Sequence, residues 1–314
     1  MSCVAEGFEV IINCAAGGGP DTEAGRAVEE AFASCGAPAR VHLARAGEEL
    51  TELARAAVSD GARAVVAGGG DGTVGAVASA LVGTGKALGV LPLGTLNHFA
   101  KDLRIPLEVG GAARNVCEGR EVLVDVAEVT GGGGGADRRV FINNSGLGLY
   151  PHIVRRREKL QQREDAGKWP AFVRASLAIL RRYPFLNVRL NADGKEIVRS
   201  TPFVFVGNNE YEVEGAGMGG RERLDAGRLS LYVAHRTGRL GLLRLALRAL
   251  FGRLRQSKDF DALSAEEIWV ETRRPKRLYV ATDGEVTVMT TPLHYRVLPK
   301  ALRVIVPKEE ESGV

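Results

Sequence analysis

Twice within the first hundred residues, a short apolar run passes straight into a glycine-rich turn and then into a helical stretch. Ala64-Val65-Val66-Ala67 leads into Gly68-Gly69-Gly70-Asp71-Gly72-Thr73, and Leu88-Gly89-Val90-Leu91 leads into Pro92-Leu93-Gly94-Thr95. A strand that is apolar on both faces needs cover on both sides, and crossover helices supply that cover in a parallel sheet. Earlier segments fit the same scheme. Val10-Ile11-Ile12 and the region around Val41-His42-Leu43 read as strands, and residues 22–34 have helical character. Leu50, Leu53, Ala54 and Ala57 fall at i, i+3, i+4 and i+7 of a second helix. Further helices are expected from about Thr73 to Val82 and up to about Leu103, where Ile105-Pro106 stops the pattern. The order is βαβαβαβα, a Rossmann-like α/β domain.

From about Glu121 the texture changes to β-type segments separated by turn residues: 122–129, 140–143, 186–190, 202–206, 229–234, 268–271 and 278–281. Strands in series of this kind predict an antiparallel β-sandwich. Helical insertions are expected over about 151–183 and 240–254, and Gly131 to Gly135 reads as a loose hairpin tip. The expected division is an α/β domain over 1–120, with a tail of about 300–314 packing back on it, and a β-rich domain over 121–299. A chain of 314 residues has enough apolar material for two cores.

Composition narrows the classes. The four cysteines (Cys3, Cys14, Cys35, Cys117) form no Cys-x-x-Cys pair, and the five histidines lack metal-ligand spacing, which points to a reduced, cytoplasmic protein without structural zinc. Nothing near the N-terminus resembles a secretory signal, and no uncharged run reaches transmembrane length. A net charge of +4 is too small to imply nucleic-acid binding. Its distribution is uneven: nine Lys or Arg face three acids between Pro151 and Arg182. Leu240, Leu243, Leu247, Leu250, Phe251 and Leu254 would line one helical stripe beside Arg244, Arg248 and Arg255. Such a helix suits either an interfacial position on anionic lipid or packing on the sandwich.

The chemistry concentrates in the glycine turns. Glycine lets a backbone approach phosphate oxygens without a Cβ clash, helix N-termini present free N–H groups to anions, and the Thr73 and Thr95 hydroxyls add donors. Two familiar patterns fail here. Gly70-Asp71-Gly72-Thr73-Val74-Gly75 fits a dinucleotide fingerprint but lacks the acid expected near residues 90–95. Val82-Gly83-Thr84-Gly85-Lys86-Ala87 resembles a phosphate-binding P-loop but has Ala80 and Ala87 at two required positions.

Gly69-Gly70-Asp71-Gly72-Thr73, then Pro92-Leu93-Gly94-Thr95-Leu96-Asn97-His98-Phe99-Ala100, then Asp283-Gly284-Glu285, together resemble the diacylglycerol kinase catalytic-domain family. Asp225-Ala226-Gly227-Arg228-Leu229 and the closing Ala301 to Val306 also fit, so the likeness spans nearly the whole chain. The resemblance implies an ATP-dependent lipid kinase using Mg²⁺, with the nucleotide held in the α/β domain by Asn13, Gly69, Gly70, Asp71, Gly72, Thr73, Gly94, Thr95 and Asn97. It implies that Asp71 organises Mg²⁺ and the phosphates, that the β-rich domain binds a lipid acceptor, and that Asp283, assisted by Glu285, takes the acceptor's proton. Residues two apart share a face on a strand, but Gly284 makes a turn equally plausible there. It further implies peripheral contact with the anionic inner face of the membrane, and it allows a homodimer.

Three departures stand out. Asn13-Cys14-Ala15-Ala16-Gly17-Gly18 keeps only the Asn and Gly of the family's first motif, His98 stands where Asp is frequent, and Ala226 replaces the second acid of Asp-Asp-Gly. The last leaves Asp225 as a lone carboxylate for a structural Mg²⁺. Alternatives are an NAD kinase, which Asn208-Asn209-Glu210 superficially resembles, and a nucleotide-binding regulator without catalysis.

Overall fold

The structure, a computed structural model, describes residues 7–14, 21–45, 47–132, 137–152, 185–211, 220–234 and 260–308. Most of the two expected helical insertions, and with them both cationic stretches, lies outside these residues. The chain forms two compact units: residues 1–126 with 299–314, and residues 127–298.

The first unit is built on parallel strands β1 (Phe8–Asn13), β2 (Ala39–Ala44), β3 (Ala64–Gly69) and β4 (Ala87–Pro92), in the order β2-β1-β3-β4. Every residue of β3 and β4 is buried, which explains their continuous apolar character. The last part of a long strand, β16 (Leu293–Val306), adds parallel to β4 through the register Arg303↔Ala87 and Val304↔Leu88. Helix α1 (Asp21–Ser34) packs with α5 (Val109–Glu118), and α2 (Gly47–Ser59) packs with α3 (Asp71–Leu81). A short α4 (His98–Asp102) follows the second glycine turn. The α/β prediction is borne out, although α5 is an addition: Pro106 and the pair Gly110-Gly111 hide its helical face. Because β1 lies between β2 and β3, the chain reverses its direction of travel across the sheet at β1/β3. Ligands bind at the carboxyl ends of strands at such a point.

The second unit is the expected antiparallel sandwich. One sheet has the order β12-β11-β10-β7-β14-β15, with β7 (Asn144–Gly148), β10 (Phe203–Asn208), β11 (Leu229–Ala234), β12 (Phe260–Ala265), β14 (Arg277–Thr282) and β15 (Glu285–Thr290). Facing it are β8 (Leu186–Ala192), β9 (Lys195–Thr201), β13 (Glu267–Thr272) and the first part of β16, joined by β5 (Arg120–Gly131) and β6 (Asp137–Phe141). Alternate side chains from both sheets form one core, including Phe141, Leu147, Val206, Leu231, Ile268, Val280 and Leu293. Residues 140–143, expected as strand, end β6 at Phe141; Ile142 and Asn143 form a bend before β7.

Tyr295 lies at the centre of this core. Its ring meets Phe141 edge-on with centroids 6.2 Å apart, and its hydroxyl lies 3.2 Å from Ser145 Oγ. Burial pushes the phenol well above its ordinary range, so this oxygen stays protonated and can donate. Replacing Tyr295 with Phe keeps the packing but strands the Ser145 hydroxyl. A loss of about 1 kcal/mol in urea-unfolding stability is expected, with little change in m-value.

Candidate active site

In the first unit the site is assembled at the carboxyl ends of β1, β3 and β4. Asn13 ends β1 and donates from Nδ2 to Thr73 Oγ1 at 3.1 Å, joining the strand end to the first turn of α3 across the point of reversal. Thr73 is therefore buried and engaged, whereas Thr95 is exposed. Helix α3 starts on Gly70 in an extended conformation with no side-chain cap. Its first-turn N–H groups have no intrahelical acceptors, as at any helix N-terminus, and that end of a helix suits an anion.

The two glycine turns touch through their backbones. A Cβ on Gly94 would lie 2.3 Å from Gly70 Cα, and one on Gly69 would lie 2.4 Å from Thr73 Oγ1. Only glycine permits this approach. Asp71 then ties the turns together: Oδ2 accepts from the His98 N–H at 3.2 Å, and Oδ1 accepts from the Phe99 N–H at 3.1 Å. Asn97 sits at φ 50°, buried, and its Nδ2 donates to the carbonyls of Pro92 (3.1 Å) and Gly94 (2.8 Å). Its amide thus braces the loop that carries Thr95. His98 is exposed and enters this arrangement through its backbone.

In the second unit, Asp283 and Gly284 form the two-residue loop of the β14–β15 hairpin, with φ of 47° and 91°. Positive φ at both positions is the type I′ signature, for which Asp-Gly is a preferred sequence. The strand alternative for Asp283 and Glu285 is thereby replaced by a turn, because Thr282 pairs directly with Glu285 across it. The Asp283 side chain reaches back to the bend before β7. Oδ2 accepts from the Ile142 N–H at 2.7 Å, and Oδ1 accepts from the Asn143 and Asn144 N–H groups at 2.8 and 3.0 Å. Its own N–H donates to the Asn144 carbonyl. An ionised carboxylate offers about four lone-pair sites, so one on Oδ2 remains after these three bonds. Glu285 is exposed.

Arg221, buried and absent from the sequence-derived set, supports the other side of the same bend. Its guanidinium donates to the carbonyls of Ile142 (2.6 Å) and Asn208 (3.0 Å) and to Asn143 Oδ1 (2.7 Å), and it lies over the Tyr211 ring. No local pattern marked it, since its partners are 13 to 79 residues away. Desolvation pushes the Asp283 carboxyl up to about 6, against the opposing pull of the three N–H donors and the Arg221 charge. The protonated form therefore stabilises the fold below the ordinary carboxylate range, and that contribution is lost as pH rises through about 6.

Asn208 and Asn209 are buried structural residues here. Asn208 Nδ2 donates to the Ile142 carbonyl, and Asn209 Oδ1 accepts from the Ala226 N–H. Asp225 pairs with Arg223 at 3.1 Å, and among the described residues no group of three His, Cys, Asp or Glu could hold a metal ion. A single carboxylate already paired with a guanidinium does not fit a structural Mg²⁺.

Residues 8–129 match the model of the diacylglycerol kinase catalytic domain, and residues 155–306 match that of the YegS C-terminal NAD kinase beta sandwich-like domain. The chain belongs to the diacylglycerol kinase catalytic-domain family. It is 29% identical over 262 residues to a Citrobacter koseri protein named "Probable lipid kinase YegS-like", covering 79% of this chain and 80% of that one. It is 28% identical over 250 residues to the Synechocystis protein sll0036, covering 78% of this chain but only 55% of that relative. A crystal structure of a diacylglycerol kinase from Bacillus anthracis has the same fold, with a TM-score of 0.67 at 21% identity over 96% of this chain and 97% of that one. Kinases as a class are phosphotransferases, and the relatives named above carry that class in their names.

Crowding between the turns can be tested directly. Gly94→Ala should cost at least about 2 kcal/mol in urea unfolding, because backbone must move. Gly110→Ala, which meets open space in α5, should be neutral or stabilising by about 0.5–1 kcal/mol.

Proposed function

We propose that the protein transfers the γ-phosphoryl group of ATP to the hydroxyl of a lipid, diacylglycerol or a related molecule. The observation that carries this reading is the uncapped start of α3 beside the second glycine turn, at the point where the parallel sheet reverses. Phosphoryl transfer asks the protein for positioning, charge neutralisation and a proton acceptor. In this reading the first-turn N–H groups of α3 and the Thr95 hydroxyl bind the nucleotide phosphates. Asp71 and Asn97 fix the two turns at the spacing those phosphates need.

Mg²⁺ would enter with the nucleotide and neutralise phosphate charge. It needs few protein ligands when phosphates and water supply the rest. The glycine cradle, which a Cβ would fill, fits such a complex, and Asp71 is a carboxylate of the first turn itself.

On the acceptor side, the spare lone pair of Asp283 Oδ2 takes the hydroxyl proton as the oxygen attacks the γ-phosphorus and the bond to ADP breaks. A base with a pKa near 6 is ionised at neutral pH and still basic enough to accept a proton. Anionic membrane would be the surface on which the lipid is met, with residues 151–182 and 240–254 as the attracting segments.

The test is incubation of the purified protein with γ-labelled ATP, Mg²⁺ and either a panel of lipids in anionic vesicles or NAD. Label in a lipid is expected; label appearing only in NADP would overturn the assignment. With the active lipid, kcat/KM should rise with pH through about 6 and then level off. Asp283→Asn should lower kcat by about 10²–10⁴-fold while ATP binding persists. Because the new Nδ2 would face the Ile142 N–H, some stability should be lost as well. Unchanged turnover would remove Asp283 from the mechanism.

A further inference from the structure

In the sandwich unit, three charged side chains that the proposed reaction does not use come together on the sheet that does not carry Asp283. Glu128 is on β5, Arg138 on β6 and Arg296 on β16. Ala127 and Val129, the neighbours of Glu128, belong to the core, so the Glu128 side chain stands on the other face of the sheet. It is nonetheless only 1% exposed, with two arginines against it.

Arg138 Nε donates to Glu128 Oε2 at 2.6 Å, and Arg296 Nε donates to Glu128 Oε1. A carboxylate this buried is costly without a cation beside it, but one guanidinium balances its charge. The second is surplus and leaves the group with one positive charge in excess. Glu267, opposite Arg296 in the strand register, is engaged elsewhere: its Oε1 lies 2.7 Å from Trp269 Nε1 and 2.6 Å from His294 Nε2. Both arginines spend Nε on Glu128. Of the five N–H donors on each guanidinium, the four on the η nitrogens have no partner among the described residues, and the two side chains are 50% and 55% exposed. Strand pairing holds the arrangement in place, since Thr130↔Arg138 and Glu128↔Val140 make Arg138 the diagonal neighbour of Glu128.

We propose that Arg138 and Arg296, held side by side by Glu128, form a clamp for a phosphate group on the outer face of the sandwich. Each guanidinium keeps a planar fork of donors for the ligand, and a phosphate monoester presents three acceptor oxygens, enough to take bonds from both forks. The anion cancels the surplus positive charge. Glu128 is a positioning residue: it brings two like charges together, fixes the plane of each guanidinium through Nε and leaves the η nitrogens to the ligand. A lipid headgroup and a free phosphate share this chemistry.

The inference is independent of which acceptor the enzyme phosphorylates. The test uses the full chain and phenylglyoxal, which modifies arginine side chains, with peptide mass spectrometry reporting the rate at each site. The probes are inorganic phosphate, glycerol 3-phosphate and vesicles of phosphatidylcholine with and without phosphatidic acid, all at one ionic strength set with sodium chloride. At a probe concentration about ten times its Kd, Arg138 and Arg296 should be modified about tenfold more slowly. Arg139, exposed and on the opposite face of β6, should keep its rate. Protection by phosphatidic acid vesicles at phosphate concentrations where the free ions give none supports the clamp and assigns it to a lipid headgroup. Protection by the free ions alone supports it and assigns it to a soluble phosphate. No protection in any arm, or equal slowing of Arg139, would overturn the proposal. Arg296→Lys keeps the charge but lacks the fork, so Arg138 should lose most of its protection in that variant; full protection there would reduce the effect to charge and overturn the clamp as well.

Discussion

The α/β unit depends on one close approach, the backbone contact between Gly70 and Gly94. Two strand-to-helix turns from neighbouring strands normally carry side chains that keep them apart. Here glycine at position 94 lets the turns meet, since a Cβ there would run into Gly70 Cα, and Asp71 holds them by accepting one N–H on each carboxylate oxygen from the start of α4. Asn97 and Thr73 extend the lock, the first by bracing its own loop and the second by taking the Asn13 amide from β1. The consequence is a rigid rim at the end of the sheet, with the start of α3 set into it and carrying no side-chain cap.

The sandwich unit repeats the device with different parts. Asp283 occupies a two-residue hairpin whose positive φ values aim its carboxylate back at three consecutive amides, while Arg221 grips the carbonyl side of the same bend. A bend with its N–H groups held by an anion and its carbonyls held by a cation has little freedom left. Burial then raises the carboxyl toward neutrality, which gives a group fixed by its surroundings the acid–base character suited to proton transfer. In both units an aspartate works through main-chain amides, so its position is set by the backbone fold itself.

Much of this was legible in the sequence. The parallel strands announce themselves because β3 and β4 are buried on both faces, and Asp-Gly between alternating apolar residues signals a hairpin as clearly as a catalytic motif. The elements that escaped do so for physical reasons. Asn144-Ser145-Gly146-Leu147-Gly148 is a central strand made of small and polar residues, because its neighbours and Tyr150 crowd the space above its glycines. Lys195 to Thr201 is an edge strand whose charges mask its two buried positions, Ile197 and Thr201. Arg221 could not be found at all from local pattern, since a buried guanidinium is recognisable only through carbonyls brought to it by the completed sheet.

The path of the chain has a further consequence for how the protein is made. It leaves the α/β unit within β5 and returns only within β16, whose final residues cover the open side of β4. Those residues emerge from the ribosome after the entire sandwich. Until then β4 is an edge strand, apolar on both faces, with unpaired backbone groups. The α/β unit therefore cannot complete its sheet in the order of synthesis, and a fragment ending at Val126 would lack its last strand. Folding of the part that comes first waits on the part that comes last.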